Sequence, residues 1–110
     1  MKKLLVVKTD NSIVEQNLSD TDFLNTLENS VAQHGINVNL TMWVYKSEDF
    51  NSDYNNIAND IYNDYRGMNE SFFYGDVVFT GRSTDSGVAG INAEEEKLVR
   101  SYLRQESTNA

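Results

Sequence analysis

The segment 47–67 has apolar residues at helical spacing and carries a row of carboxylates, with no basic residue between Lys46 and Arg66. At about 100° of rotation per residue, four of its aspartates fall within a sector roughly 80° wide on one side of the predicted helix. An apolar arc beside them, which includes Tyr54, holds the negative charge on a packed scaffold. We therefore predict an acidic interaction face made of Asp49, Asp53, Asp60 and Asp64.

This acidic face suggests a basic protein partner. Aspartates four residues apart are about 6 Å apart along the helix axis, which is comparable with the separation of successive phosphates on one DNA strand. Such a row can occupy the DNA-binding groove of another protein and imitate DNA there. Like charges at this spacing cost roughly a few tenths of a kcal/mol without an intervening cation. The simpler interpretation is a solvated helix face, which is what most charge runs are.

The same segment partly matches a calcium-binding loop. Five of its residues fall at ligand positions of an EF-hand pattern, namely Asp49, Asn51, Asp53, Asn55 and Asp60. The match fails at the sharp turn, which requires glycine where this chain has Tyr54, and at the last ligand, which is usually a longer glutamate. Helical periodicity also runs through the segment. We therefore predict no metal site and no cofactor.

Few residues of this chain could perform catalysis. It has 110 residues, one histidine and no cysteine, so thiolate nucleophiles and cysteine-held metals are absent. His34 precedes Gly35, where a helix is predicted to end, and its predicted role is to interact with the negative end of the helix dipole. We expect no catalytic residue and a protein that is not an enzyme.

A ligand pocket near the loop 81–90 is the alternative hypothesis, as an enzyme or a small-ligand-binding protein. The loop lies between a predicted strand and a predicted helix, where phosphate-binding loops occur. It lacks the P-loop ending and the Rossmann glycine spacing. Glu94, Glu95 and Glu96 also occupy the helix N-terminus, where an anion would have to sit. These features disfavour a nucleotide site of either kind.

The charge balance limits the classes of partner. With 17 acidic and 9 basic residues, the chain has a net charge of −8, which disfavours direct binding to nucleic acid or to anionic membranes. No apolar run approaches the roughly 20 residues of a membrane span. The apolar start breaks at Lys8 without a cleavage site, so it predicts a strand rather than a signal peptide. Without cysteines that imply an oxidising compartment, we expect a cytoplasmic protein.

The first half of the chain predicts a hairpin, a helix and a strand. The runs 4–8 and 13–16 flank four turn-forming residues, and Ser19 or Asp20 can cap a helix that continues to Gly35. From Ile36 to Tyr45 apolar and polar residues alternate strictly, which predicts a single half-buried strand.

Trp43 and Tyr45 end the polar face of this strand. With Tyr62 they form a predicted aromatic contact patch for a partner. The alternative interpretation is that a helix covers them. A further hypothesis is a homodimer in which the Trp43–Tyr45 strand pairs or packs with its copy, while the acidic helix is merely solvated.

The second half predicts a strand over 72–80 with a bulge at Gly75, then the loop 81–90 and a last helix capped by Asn92. The element order ββαβαβα indicates an α+β fold with about four strands in a mainly antiparallel or mixed sheet. Three helices are expected to pack mainly on one face. We expect one domain over 1–105 and a frayed tail over 106–110.

The last third of the chain resembles part of a known family. Residues 72–81 form a Gly-containing apolar strand, a polar loop follows, and 90–96 begin a short helix with an acidic cap. This pattern resembles the C-terminal half of a family of small uncharacterised proteins from phages and mobile elements. The resemblance implies no activity and no functional residues. It implies a phage or plasmid context, in which small acidic proteins act against host nucleases or DNA-binding proteins, so we expect a non-enzymatic interaction protein with such a basic partner.

Overall fold

The fold is built on one antiparallel sheet. The computed structural model describes residues 1–45, 53–67 and 72–108, with side chains up to residue 103. The sheet has five strands in the order β2-β1-β5-β4-β3, and a separate hairpin pairs β6 with β7. The strands are β1 (Lys2–Val7), β2 (Ile13–Leu18), β3 (Ser30–Asn37), β4 (Leu40–Tyr45), β5 (Val77–Thr80), β6 (Ser83–Thr84) and β7 (Gly87–Val88). The helices are α1 (Asp20–Glu28), α2 (Asn56–Arg66) and α3 (Ala93–Thr108).

Helices cover both faces of the sheet. On one face α2 and α3 pack against a cluster of buried side chains that includes Leu5, Met42 and Phe79. On the other face α1 packs against a second cluster that includes Trp43 and Val78. Successive strand residues point to opposite faces, so a single sheet supplies both clusters. The α+β class and the three helices are confirmed, and two of these helices share one face.

Local signals placed several elements correctly. The predicted first hairpin is present, with Val7 paired to Ile13 across its turn. Ser19 caps α1, its Oγ accepting the Asp22 N–H at 3.2 Å, and Asn92 caps α3 through the Glu95 N–H at 2.8 Å. Helix α3 continues to Thr108, into the segment 106–110 for which a frayed tail was predicted, and 109–110 lie outside the described residues.

The prediction that α1 continues to Gly35 is wrong. The helix ends at Glu28, and the Ser30 hydroxyl donates to the Leu27 carbonyl at 2.7 Å. Residues 30–37 then form β3, which is an edge strand of the sheet. Val31 is 62% exposed on this edge. This extra strand explains why the sheet has five strands rather than about four.

The prediction of one strand from Ile36 to Tyr45 is also wrong. The chain reverses at residues 38–39, and the Asn37 side chain accepts the Asn39 N–H at 2.8 Å. An asparagine that bonds its own backbone two residues on is a common turn former. Ile36 and Leu40 lie on either side of the turn and are both buried in the same cluster. The alternation of apolar and polar residues in the sequence is therefore not interrupted at the turn, which is why it resembles the pattern of a single strand.

Helix α2 begins later than predicted. Tyr54 forms an antiparallel bridge with Tyr74, so this part of the chain is extended rather than helical. Asn55 is the N-cap, its Oδ1 accepting the Ala58 N–H at 3.0 Å, and Gly67 ends the helix as expected. The predicted start at Ser47, and Asp49 with it, lie outside the described residues. The described part of the predicted helix before Asn56 is therefore not helical.

The segment 72–90 differs from its prediction in length and detail. Regular pairing in β5 begins at Val77, after Gly75, whose φ of 79° belongs to the left-handed region that glycine tolerates. The irregularity predicted at Gly75 is thus present, but it lies before β5 rather than within it. The segment 81–90, predicted as a loop, contains the β6–β7 hairpin.

Two buried asparagines join α2 to the segment 72–75 and to β1. The Asn55 Nδ2 donates to the carbonyls of Val7 at 3.0 Å and Gly75 at 2.9 Å. The Asn59 Nδ2 donates to the Phe73 carbonyl at 2.9 Å, and its Oδ1 accepts the Phe73 N–H at 3.0 Å. Asn59 thus pairs with Phe73 as a strand residue would. We call Asn55, Asn59 and their main-chain partners the amide network.

Replacing Asn59 with alanine is expected to lower the free energy of unfolding by about 1–3 kcal/mol, because the buried Phe73 N–H loses its acceptor. Urea denaturation of the purified protein measures this loss. The matched control is Asn63→Ala, an exposed position on the same helix, for which we expect a change within about 0.5 kcal/mol. Equal effects of the two substitutions would show that the amide network does not stabilise the fold.

Candidate functional site: an aromatic and acidic surface

Three exposed aromatic rings lie together beside the start of α2. Tyr54, Phe72 and Tyr74 are 37%, 53% and 46% exposed. The Tyr54 ring centroid lies 5.8 Å from that of Phe72 and 5.9 Å from that of Tyr74. These separations are typical of aromatic rings in contact. Contiguous exposed apolar surface of this kind marks interaction sites.

Main-chain pairing determines which way these rings point. The Asp53 carbonyl accepts the Gly75 N–H at 2.9 Å, and the Asn55 N–H donates to the Phe73 carbonyl at 3.1 Å. Side chains alternate along paired extended segments. Asn55 and Phe73 are therefore buried, while Tyr54 and Tyr74, the next pair along the two segments, are exposed. The amide network bonds the main chain of Phe73 and Gly75, the residues on either side of Tyr74. The aromatic cluster is therefore held by buried hydrogen bonds rather than by its own ring contacts alone.

Two exposed carboxylates flank the rings. Asp53 immediately precedes Tyr54, and Asp76 follows Gly75, whose N–H is bonded to the Asp53 carbonyl. In the described part of the chain, the salt bridges involve only the carboxylates of Glu15 and Glu96. Asp53 and Asp76 therefore have no cation beside them there. We call the set of Asp53, Tyr54, Phe72, Tyr74 and Asp76 the aromatic–acidic surface.

The chemistry of this surface suits a cation. The faces of aromatic rings attract ammonium and guanidinium groups, and a carboxylate forms charge-assisted hydrogen bonds with the same groups. Arginine combines stacking on aromatic rings with bonds to carboxylates. The groups that this surface presents can therefore bind a cation.

The predicted acidic helix face is not a continuous row in the structure. Asp53 precedes the helix and belongs to the aromatic–acidic surface, and Asp49 lies outside the described residues. Asp60 is on α2, where its side chain is partly buried. Asp64 accepts the Tyr102 hydroxyl at 2.6 Å, and burial together with this bond raises the pKa of Tyr102 well above its usual range. Only Asp60 and Asp64 therefore share the helix.

The three residues of the predicted aromatic patch lie on different faces of the sheet. Trp43 is buried, and its Nε1 donates to the Thr80 hydroxyl at 2.8 Å. Tyr45 donates to the Thr26 carbonyl of α1 at 2.8 Å, and burial raises its pKa to about 12. Tyr62 lies on the opposite face, among the side chains around α2. The three side chains form no common surface, and the first two lie beside α1.

The predicted dimer strand has no free edge. Strand β4 is hydrogen-bonded to β3 on one side and to β5 on the other. Pairing of the Trp43–Tyr45 strand with a second copy would therefore require a neighbouring strand to leave the sheet. The homodimer hypothesis, in the form in which this strand pairs with its copy, does not fit the observed strand order.

His34 does not end a helix, so its predicted interaction with a helix dipole is wrong. It lies in β3, and its ring centroid is 5.4 Å from those of Tyr62 and Phe73. Burial, together with the nearby positive charge of Arg66, lowers the pKa of His34 below its usual value of 6.5. The His34 ring thus packs against the Phe73 ring, whose main chain is bonded to Asn59. His34 is a packing residue in this arrangement.

The lowered pKa predicts a pH dependence of stability. Unfolded histidine takes up a proton near pH 6.5, whereas folded His34 does so at lower pH. Stability that is fully present above pH 6.5 is therefore lost as the pH falls through the lowered pKa. Thermal unfolding between about pH 7.5 and 5.5 should show a smaller loss in His34→Gln than in the wild type. Identical pH profiles for the two proteins would show that His34 does not cause the loss of stability at lower pH.

Of the partial EF-hand match, Asp49 and Asn51 lie outside the described residues, and the structure describes Asp53, Asn55 and Asp60. The Asn55 carbonyl accepts both the main-chain N–H and the side-chain Nδ2 of Asn59, so it is directed into the helix. Within the described residues, no three His, Asp or Glu side chains are grouped closely enough to hold a metal ion. The described members of the pattern therefore act in folding or on the surface.

Comparison with protein-family models, curated proteins and solved structures found no match to this chain. The resemblance of its last third to phage and mobile-element proteins therefore stays a prediction. In the ranges 1–45, 53–67 and 72–108, no helix has both the length and the apolar composition needed to cross a membrane.

Sequence reasoning missed the aromatic–acidic surface apart from Asp53. Tyr54 had been assigned to a buried helix arc, and Phe72 and Tyr74 to one continuous strand. The available signal was the alternation of 72–74 with the buried Phe73 between two exposed aromatic residues. Bringing Tyr54 beside Tyr74 required a long-range pairing that no local pattern specifies.

Proposed function

We propose that this protein is a small non-enzymatic interaction protein that binds a basic segment of another protein through the aromatic–acidic surface. The observation that carries the proposal is the cluster of exposed rings held by the amide network, close to two carboxylates that form no salt bridge within the described residues. The partner we propose is a DNA-binding protein or a nuclease, met in the cytoplasm of a cell that carries a phage or mobile element.

The charge of the whole chain favours such a partner. The net charge is −8, and the described salt bridges neutralise only Glu15 and Glu96. The remaining negative field attracts positively charged proteins over long distances and raises their association rate. Proteins that bind DNA present Lys and Arg to its phosphates, so they carry the complementary charge.

Long-range charge attraction does not determine how a partner is oriented. The aromatic rings add contact energy and position the partner's side chains. Tyrosine and arginine are enriched among the residues that contribute most to protein interfaces. Asp53 precedes Tyr54 and Asp76 follows Tyr74 by two residues, so carboxylates that can bind a guanidinium are close to both tyrosines along the chain. The proposal therefore places binding here rather than on the helix, where Asp64 is already hydrogen-bonded to Tyr102.

The probe for this proposal is a fluorescently labelled peptide of alternating arginine and serine, followed by anisotropy. We expect binding that weakens when salt is raised, because exposed charges are screened. Replacing Phe72 and Tyr74 together with serine should weaken binding about tenfold or more, since aromatic contacts contribute most at interfaces. Circular dichroism checks that each variant is folded.

A pair of charge variants locates the site. Asp53→Asn with Asp76→Asn should weaken binding by about threefold to tenfold, as expected for lost charge-assisted contacts. Asp60→Asn with Asp64→Asn makes the same change in net charge on α2 and should leave binding within about twofold. Equal weakening by both pairs would mean that binding follows overall charge or the helix face. Binding that ignores the aromatic pair would also overturn the proposal.

A further inference from the structure

An open depression of about 290 Å³ lies between the β6–β7 hairpin and the start of β1. Its lining includes Lys2, Arg82, Thr84 and Ser86, and no carboxylate. The chain has a net charge of −8, and the exposed Asp85 lies in the turn between Thr84 and Ser86, but the two charged groups that line the depression are both cations. This region differs in sign from the aromatic–acidic surface, so it points to a different ligand.

Lys2 is held in place while keeping donors available. Its Nζ donates to the Val88 carbonyl at 2.9 Å and lies 5.5 Å from the centroid of the Phe23 ring. A lysine ammonium has three N–H donors, so one bond to the hairpin leaves two. The described salt bridges do not include Lys2. Its charge is therefore positioned without being neutralised.

Arg82 and two hydroxyls complete the polar lining. The Arg82 side chain is exposed, and its guanidinium forms no ion pair within the described residues. The hydroxyl oxygens of Thr84 and Ser86 lie 3.0 Å from each other. Guanidinium, ammonium and hydroxyl groups are all donors to oxyanions. The Thr84 hydroxyl also donates to the Gly87 carbonyl at 3.2 Å, so the donors that the depression offers to a ligand are those of Lys2 and Arg82.

Two glycines allow close packing, Gly81 within the base of the hairpin and Gly90 between this base and β1. A Cβ at Gly81 would clash with the Gly90 carbonyl oxygen, and one at Gly90 would lie 2.9 Å from the Lys3 nitrogen. The Gly81 N–H donates to the Ala89 carbonyl at 2.9 Å, which closes the base of the hairpin. Close packing of this base explains how the hairpin groups and Lys2 come to line the same depression.

We infer that this depression binds the phosphate group of a small anionic ligand. Two cations match the charge of a phosphate monoester near pH 7, and its several oxygens can accept bonds from the ammonium and the guanidinium together. The site is separate from the aromatic–acidic surface. Lys2 begins β1 and Val7, which is bonded to Asn55, ends it, a separation of about 16 Å along the strand.

The test is a titration of the isotope-labelled full chain with inorganic phosphate, at constant ionic strength, followed by NMR. We expect saturable shifts of the amide signals of 82–89. Lys2→Gln and Arg82→Gln should each raise the dissociation constant about fivefold or more, since each removes a charged donor. Lys8→Gln makes the same charge change beyond the opposite end of β1 and should leave the constant within about twofold.

Three outcomes would overturn the inference. The first is a shift that grows linearly with phosphate and never saturates. The second is equal weakening by Lys8→Gln, which would show a response to net charge alone. The third is binding of acetate as tight as that of phosphate, which would remove the preference for a phosphate group. Because Arg82 is exposed, its variant keeps the test valid if Lys2→Gln disturbs the fold, and unchanged signals outside the hairpin confirm folding.

Discussion

The hydrogen bonds of Asn55 and Asn59 are the constraint on which the candidate interaction surface depends. Regular pairing in β5 begins only at Val77, so the preceding segment is ordered by these side-chain amides together with its main-chain bonds to residues 53 and 55. These amides satisfy buried main-chain groups that would otherwise cost free energy. The same bonds join α2, the segment 72–75 and the end of β1. A segment held in this way can expose aromatic rings without losing its position.

The fold was predictable where a local signal sets the structure. Turn formers placed the first hairpin, and Ser19 and Asn92 placed the starts of two helices. The errors came from sequence patterns that fit two different local structures equally well. Val31 follows Leu27 at helical spacing, yet α1 ends at Glu28 and Val31 lies on an edge strand. Likewise, Asn37 fits the polar face of a strand as well as it fits the turn that it forms.

The candidate site was predictable only in its chemistry. Composition indicated an acidic protein, and Asp53 was named in the predicted interaction face. The partners of Asp53 could not be identified, because Tyr54 and Tyr74 meet through a bridge between distant segments. The predicted patch failed as a common surface for a related reason, since Trp43 and Tyr62 lie on opposite faces of the sheet. Residue type suggested the function class, and only tertiary pairing brought the residues together.

Amide hydrogen exchange at Phe73 tests the central claim most directly, because the partner of this N–H is the Asn59 side chain. The account predicts that the Phe73 amide of the folded protein is protected to a degree comparable with the amides of β5. It also predicts that Asn59→Ala removes this protection while the β5 amides keep theirs. A Phe73 amide that exchanges at the same rate in both proteins would contradict the account.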